Sequence, residues 1–201
     1  MITKYLLDNG HRSIAGIFKA DDIQGQNRHR GYVQALQEAG MLYDPDKVIW
    51  FHTEDRKVHP REGILRLLAK GISLDAVVCY NDQIAMQIIP ALASRGIRVP
   101  EDISVTGYDN SCMAMGDGFH LTTIVHPQEK LGEMAAQLLL SLLQGEILQP
   151  EERRILIQPE LVVGNSCCSR LRVSEEATNA HGERNVLPRC EVSRWEFSNE
   201  K

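Results

Sequence analysis

Aromatic residues are scarce: Phe, Tyr and Trp make up 5% of 201 residues. A core built from this chain must therefore be mostly aliphatic. Cysteine is also sparse, with five residues at Cys79, Cys112, Cys167, Cys168 and Cys190, an odd number without a C-x-x-C pair. A disulfide scaffold and a cysteine zinc site are disfavoured, and a reducing cytoplasm fits best. Cys79 sits in an apolar run and reads as a small buried residue. No apolar run approaches the roughly 18 residues of a membrane span. The opening stretch carries Lys4, Asp8, Arg12, Lys19, Asp21 and Asp22 without an apolar h-region, so no secretory leader is expected. Positive charge is in deficit too, with a formal net charge of −5. Nucleic acid binding by the chain itself is then not expected, because phosphates call for a basic patch.

Several chemical motifs are missing as well. There is no G-x-G-x-x-G, no G-x-x-x-x-G-K-[ST] and no G-x-S-x-G, which leaves nucleotide binding and serine hydrolysis without support. The seven histidines show no H-x-x-x-H spacing, so neither a metal nor a cofactor is expected. What remains, 43% apolar and 24% charged residues, is the balance of a soluble globular protein. The length allows one ordinary domain or two small ones.

The hydrophobic pattern alternates along the chain. Residues 1–9 read as a helix end stopped by Gly10. Short apolar runs at 13–18 (SIAGIF), 47–51 (KVIWF), 75–80 (DAVVCY) and 103–108 (ISVTGY) read as buried strands. Helical stretches at 26–39, 61–70 and 83–94 follow the first three and close on Gly40, Gly71 and Gly96. This β-then-α rhythm argues for a parallel sheet with helices on both faces. After Asp109 come a loop at 110–120, a strand at 121–125, the clearest helix at 128–143, and strands at 154–157 and 160–163. From residue 165 to 201 the periodicity is lost, and this stretch reads as a disordered tail.

In an open parallel sheet, ligands bind beyond the carboxyl ends of the strands. The residues there are Lys19, Asp21, Asp22 and Arg28, then His52 to Asp55 beside Trp50 and Phe51, then Asn81 and Asp82, Asp109 and Asn110, and His126. Carboxylates, amides, an arginine and an aromatic face together suit a neutral polyol such as a sugar. Simpler roles compete: Asp82 as the cap of the following helix, Arg28 as a solvated helix residue, His126 as a loop residue and Asp102 as part of a polar turn. The acid pairs Asp21–Asp22 and Glu54–Asp55 could serve acid–base catalysis, but adjacent loop carboxylates are more often solvated.

Six ordered stretches carry a family likeness across about 4–168. Residues 10–17 (GHRSIAGI) resemble the G-H-x-x-I-A strand entry of the LacI/GalR-type effector-binding domain. Arg28-x-x-Gly31-Tyr32 resembles its R-x-x-G-[FYW] helix start, and 76–82 (AVVCYND) its strand ending in N-D. Residues 99–109 (VPEDISVTGYD) resemble the V-P-x-D-I-S-V-x-G-[YF]-D signature, 121–124 (LTTI) the L-T-T-[IV] strand, and 159–163 (PELVV) the last strand. Residues 18–25 and 125–127 look most like the arabinose-responsive branch, in which a GntR-type winged helix precedes the sensor.

The resemblance implies an α/β fold: a Rossmann-like parallel sheet flanked by helices, of periplasmic-binding-protein-like type I, with most of the N-terminal lobe absent. It assigns 1–109 and 150–164 to the C-terminal lobe and 110–149 to a segment returning to the N-terminal lobe. It implies ligand contacts from Arg28, Asn81, Asp109 and His126, with Lys19 and Asp21 on the rim and Trp50 or Phe51 as an aromatic wall. The expected role is the ligand-sensing and dimerisation part of a sugar-responsive repressor. DNA is then contacted only through a domain outside this chain, and no membrane is involved. The loop at 113–119 and the face around Met86 are the expected dimer contacts. Gly164 departs from the family, which usually has Arg there. A sugar carrier of a transport system is the alternative, and a small α/β enzyme using Asp21, Glu54 or His126 ranks last.

Overall fold

The computed structural model describes residues 1–111, 115–116, 118–145, 149 and 154–171. Helix α1 (Ile2–Asp8) leads into β1 (Ile14–Lys19), α2 (Ile23–Glu38), β2 (Val48–Phe51), α3 (His59–Ala69), β3 (Ala76–Cys79), α4 (Asp82–Ala93) and β4 (Ser104–Thr106). These four strands form one parallel sheet in the order β2-β1-β3-β4. A short antiparallel pair follows, β5 (Met115–Gly116) with β6 (Phe119–His120). Strand β7 (Thr123–Val125) then runs parallel alongside the continuation of β4 through bridges Thr106–Thr122 and Asp109–Val125, and pairs antiparallel with β8 (Glu160–Val162). Helix α5 (Gln128–Leu143) leaves from the end of β7.

The alternation of side chains along each strand divides the core into two layers. On one face Ala15, Ile17, Val77 and Val105 meet Ile64 and Leu67 of α3 and Ile84, Ile88 and Leu92 of α4. On the other, Ile14, Phe18, Ala76 and Val78 meet Leu6 and Leu7 of α1 and Tyr32 and Leu36 of α2. Both faces are covered, which is why these strands read as continuous apolar runs. The core is largely aliphatic, as the scarcity of aromatics requires. Cys79 lies within it, and burial pushes its thiol upward. Helices α2 and α3 stop at Gly40 (φ +70°) and Gly71 (φ +75°), left-handed positions that glycine tolerates.

The expected elements shift in places. Helix α2 starts at Ile23 rather than residue 26, because Asp22 caps it by accepting from the Gly25 N–H at 2.6 Å. No strand forms at 154–157. Residues 165–171, expected in the tail, dock onto the lobe instead. Ser166 is fully buried; its carbonyl accepts from Val105 N–H at 2.9 Å, and its hydroxyl accepts from Thr122 N–H at 2.8 Å. The Arg170 N–H donates to Asn9 O at 2.7 Å. Residues 172–201 lie outside the described residues, as do 112–114 and 117 of the expected dimer loop region. Gly164 is closely enclosed: a Cβ there would stand 2.1 Å from His120 O.

Helix α5 follows the expected bounds and buries none of its residues. Leu131, Met134, Ala135 and Leu138 line an open cleft of about 230 Å³ with Ile155 and Ile157. Among the described residues no helix is long and apolar enough to cross a membrane.

Candidate functional site

Parallel strands bring their carboxyl ends to one edge, and the polar residues that follow them converge there. Arg28 is the centre of this group. It projects from α2, whose first turn lies close on the end of β1: a Cβ at Gly25 would stand 1.9 Å from Lys19 O. The Arg28 guanidinium donates to Tyr80 O and, at 3.3 Å, to Asp109 Oδ1. Its Cζ lies 4.5 Å from the Tyr80 ring centroid and 3.8 Å from that of Tyr108. Two aromatic contacts and two hydrogen bonds restrict the guanidinium orientation and leave other N–H groups for a ligand.

A polar chain extends from Arg28 in both directions. On one side the Tyr80 hydroxyl donates to Asp22 Oδ2 at 2.7 Å, and Lys19 Nζ reaches Asp22 at 3.1 Å and Asp21 at 3.8 Å. Burial pushes the Asp22 carboxyl up, but the Gly25 N–H, the Tyr80 hydroxyl and Lys19 outweigh it and hold the group below its ordinary value. Burial, reinforced by the carboxylate of Asp22, raises Tyr80 to about 12. Asp21 accepts from the Thr53 hydroxyl at 2.7 Å, which lowers its carboxyl. On the other side His126 Nδ1 stands 3.9 Å from Asp109 Oδ1, too far for a hydrogen bond. Arg28, Asp109 and His126 remain partly accessible, at 16%, 30% and 35% side-chain exposure.

Several expected roles change. Asn81, not Asp82, caps α4: its Oδ1 accepts from Ile84 N–H at 3.0 Å, which leaves the amide NH₂ for a ligand. Asp82 is buried behind the rim. Phe51 is not part of an open aromatic wall: it is 2% exposed, inside the core, with its ring edge-on to Tyr80 at 5.7 Å. Trp50 faces the opposite side of β2 and packs on His29 at 4.7 Å. The rings that flank Arg28 are Tyr80 and Tyr108. Both adjoin residues chosen from the sequence, and extending the strand-end rule by one residue finds them. Asp102 belongs to a polar turn as expected, held by Arg98 Nε at 2.9 Å and Nη2 at 2.8 Å.

Arg28, Asp109 and His126 thus meet at one edge of a parallel α/β lobe. Residues 3–167 match the family described as periplasmic binding protein-like domain, and the chain belongs to that family. The LacI/GalR-type resemblance is borne out by its relatives. The chain is 38% identical over 168 residues to the arabinose metabolism transcriptional repressor of Halalkalibacterium halodurans, covering 82% of this chain and 45% of that protein. It is 37% identical over 176 residues to the HTH-type transcriptional repressor PurR of Pasteurella multocida, covering 85% and 50%. Among solved structures, the transcriptional regulator CelR in complex with cellobiose matches with a TM-score of 0.71 at 33% identity, covering 82% of this chain and 49% of that one. The chain thus spans about half the length of the curated relatives it matches.

Proposed function

We propose that this chain is the effector-sensing part of a sugar-responsive transcriptional repressor. The observation that carries the reading is the convergence of Arg28, Asp109, His126 and the free amide of Asn81 at one edge of the parallel sheet. Asp109 and Asn81 bond sugar hydroxyls, Arg28 bridges hydroxyls within its aromatic sandwich, and His126 closes the far side. Lys19 and Asp21 form the outer rim. Trp50 packs on Phe18 and His29, and Tyr108, beside Arg28, takes the role of the stacking wall.

Charge favours a neutral ligand. Lys19 is paired with Asp21 and Asp22, and Arg28 with Asp109. No unbalanced cation among these groups is offered to a phosphate or carboxylate. The similarity to an arabinose metabolism repressor makes arabinose the first sugar to test.

In the whole regulator, sugar acts by binding one conformation more tightly than another, since only differential affinity shifts an equilibrium. A homodimer with DNA contacts made outside this chain completes the reading. Its setting is cytoplasmic, and it requires no enzymatic step.

Calorimetric titration of the chain with L-arabinose, cellobiose and glucose 6-phosphate tests the ligand class. A neutral sugar is expected to bind and the phosphosugar is not. Asp109→Ala is expected to abolish binding while circular dichroism stays unchanged. Unaltered sugar affinity in Asp109→Ala overturns the assignment.

A further inference from the structure

The proposed site depends on a residue in a disfavoured backbone conformation. Asp109 has φ +101° and Asn110 φ +48°, both left-handed and both without the freedom of glycine. Such a turn persists only when its surroundings over-determine it. Asp109 itself is held by β7, its N–H donating to Ile124 O at 2.9 Å, and the residues on either side of it lead to one buried carboxylate. Asp82, the first residue of α4, is 1% exposed. Its Oδ2 accepts from Ser111 N–H at 2.6 Å, and its Oδ1 from the Thr123 hydroxyl at 2.6 Å. The same Thr123 oxygen accepts from Asn110 N–H at 3.4 Å. The Asp82 N–H donates to Tyr108 O at 2.9 Å. Tyr108, Asn110 and Ser111 are therefore tied to Asp82 directly or through one hydroxyl, with Asp109 between them.

The fit is tight. A Cβ on Gly107 would stand 2.2 Å from Asp82 Oδ1, so only glycine lets the turn come this close. The carboxylate also carries an electrostatic cost. Burial disfavours its charged form, and the neighbouring charge of Asp109 adds to that. A residue that only began a helix could leave its carboxylate in water, where the helix N-terminus still favours it.

We infer that Asp82 is a positioning residue: it holds the turn at 108–111 so that Asp109 faces Arg28, His126 and the ligand. This rests on the sugar-site reading above. Asp82 itself touches no ligand.

The test is a double-substitution cycle on the full chain. L-Arabinose is titrated into the unsubstituted chain, Asp82→Asn, Asp109→Asn and the pair, with thermal unfolding recorded for each. Asparagine keeps the shape of Asp82 but offers one acceptor where two are used. Asp82→Asn is expected to weaken binding on the order of tenfold, and by less than about twofold once Asp109 is already Asn. Additive losses overturn the inference, because a general loss of stability acts alike in both backgrounds. Amide hydrogen exchange supplies a ligand-free readout. Asp82→Ala is expected to expose the Asn110 and Ser111 amides while α4 stays protected, and unchanged protection there overturns the inference. If Asp109→Asn leaves arabinose binding intact, or arabinose does not bind, the sugar reading fails, and exchange at Ser111 alone decides the role of Asp82.

Discussion

Helices α4 and α5 carry the same kind of sequence and differ in what they meet. Helix α4 sinks Ile84, Ala85, Ile88, Ala91 and Leu92 into the layer between the sheet and α3. Helix α5 presents Leu131, Met134, Leu138, Leu139 and Leu142 at the same spacing and buries none of them. Leu139 is 57% exposed and Ile88 is fully buried. An amphipathic pattern therefore specifies a helix and its apolar side, and it does not specify a partner. The partner of α4 comes from chain connectivity. A short crossover between parallel strands folds the helix back over β3 and β4. Helix α5 leaves the outer end of the sheet, where Ile155 and Ile157 offer only an open cleft.

The largest expected effect tests this contrast directly. Ile88→Ala leaves a cavity in a filled layer and is expected to cost about 2–5 kcal/mol, whereas Leu139→Ala is expected to stay within about 0.5 kcal/mol. Urea unfolding of the two variants measures both. Equal losses would break the comparison by showing that α5 is buried in solution. A smaller effect sharpens it at the rim end of α4. Gly107→Ala drives a methyl group against the Asp82 carboxylate and Leu121, and is expected to cost about 1–3 kcal/mol through overpacking. No comparable constraint acts on Gly132 of α5, where a Cβ meets nothing within 4 Å.

The smallest effect is electrostatic and belongs to the buried side. Asp75 accepts from Arg12 N–H at 2.7 Å and from Ser13 N–H at 3.0 Å, and faces His11 Nδ1 at 3.5 Å. Burial raises its carboxyl, but His11 and these two N–H groups outweigh burial and hold it below its ordinary value. A depressed folded value means stabilisation that is complete above the unfolded value, near about 4, and lost as pH falls through the lower folded value. Denaturant unfolding below about pH 4 is expected to show that loss, and Asp75→Asn is expected to flatten the profile.

Much of this was legible residue by residue. The leucine stripe of α5 marked its bounds at Gln128 and Leu143, and glycine marked the ends of α2 and α3. Periodicity and stop signals are local, so a sequence carries them in full. The meeting of Arg28, Asp109 and His126 was legible because parallel strands must share one carboxyl edge. Two of the differences between expectation and structure were choices between neighbours. Asn81 and Asp82 both make good caps, and only the path of the 107–111 turn takes Asp82 inward and leaves Asn81 at the cap. Trp50 and Phe51 point to opposite faces of one strand, and a one-residue uncertainty in register exchanges core for rim. Ser166 looked like tail because a polar residue in an aperiodic stretch gives no burial signal. Its burial rests on hydrogen bonds to Val105 and Thr122, which are distant in sequence.

By itself, the sequence determined the alternation of strand and helix, the two-sided aliphatic core and the strand ends that carry polar groups. These follow from hydrophobic period, backbone preferences and chain connectivity, which act over a few residues at a time. Only the tertiary structure decided that Tyr80 and Tyr108 enclose Arg28 and that Asp82 lies behind Asp109. It also decided that the leucines of α5 face an open cleft. Those outcomes depend on side-chain direction and close approach between segments far apart in the chain, and no local pattern encodes them.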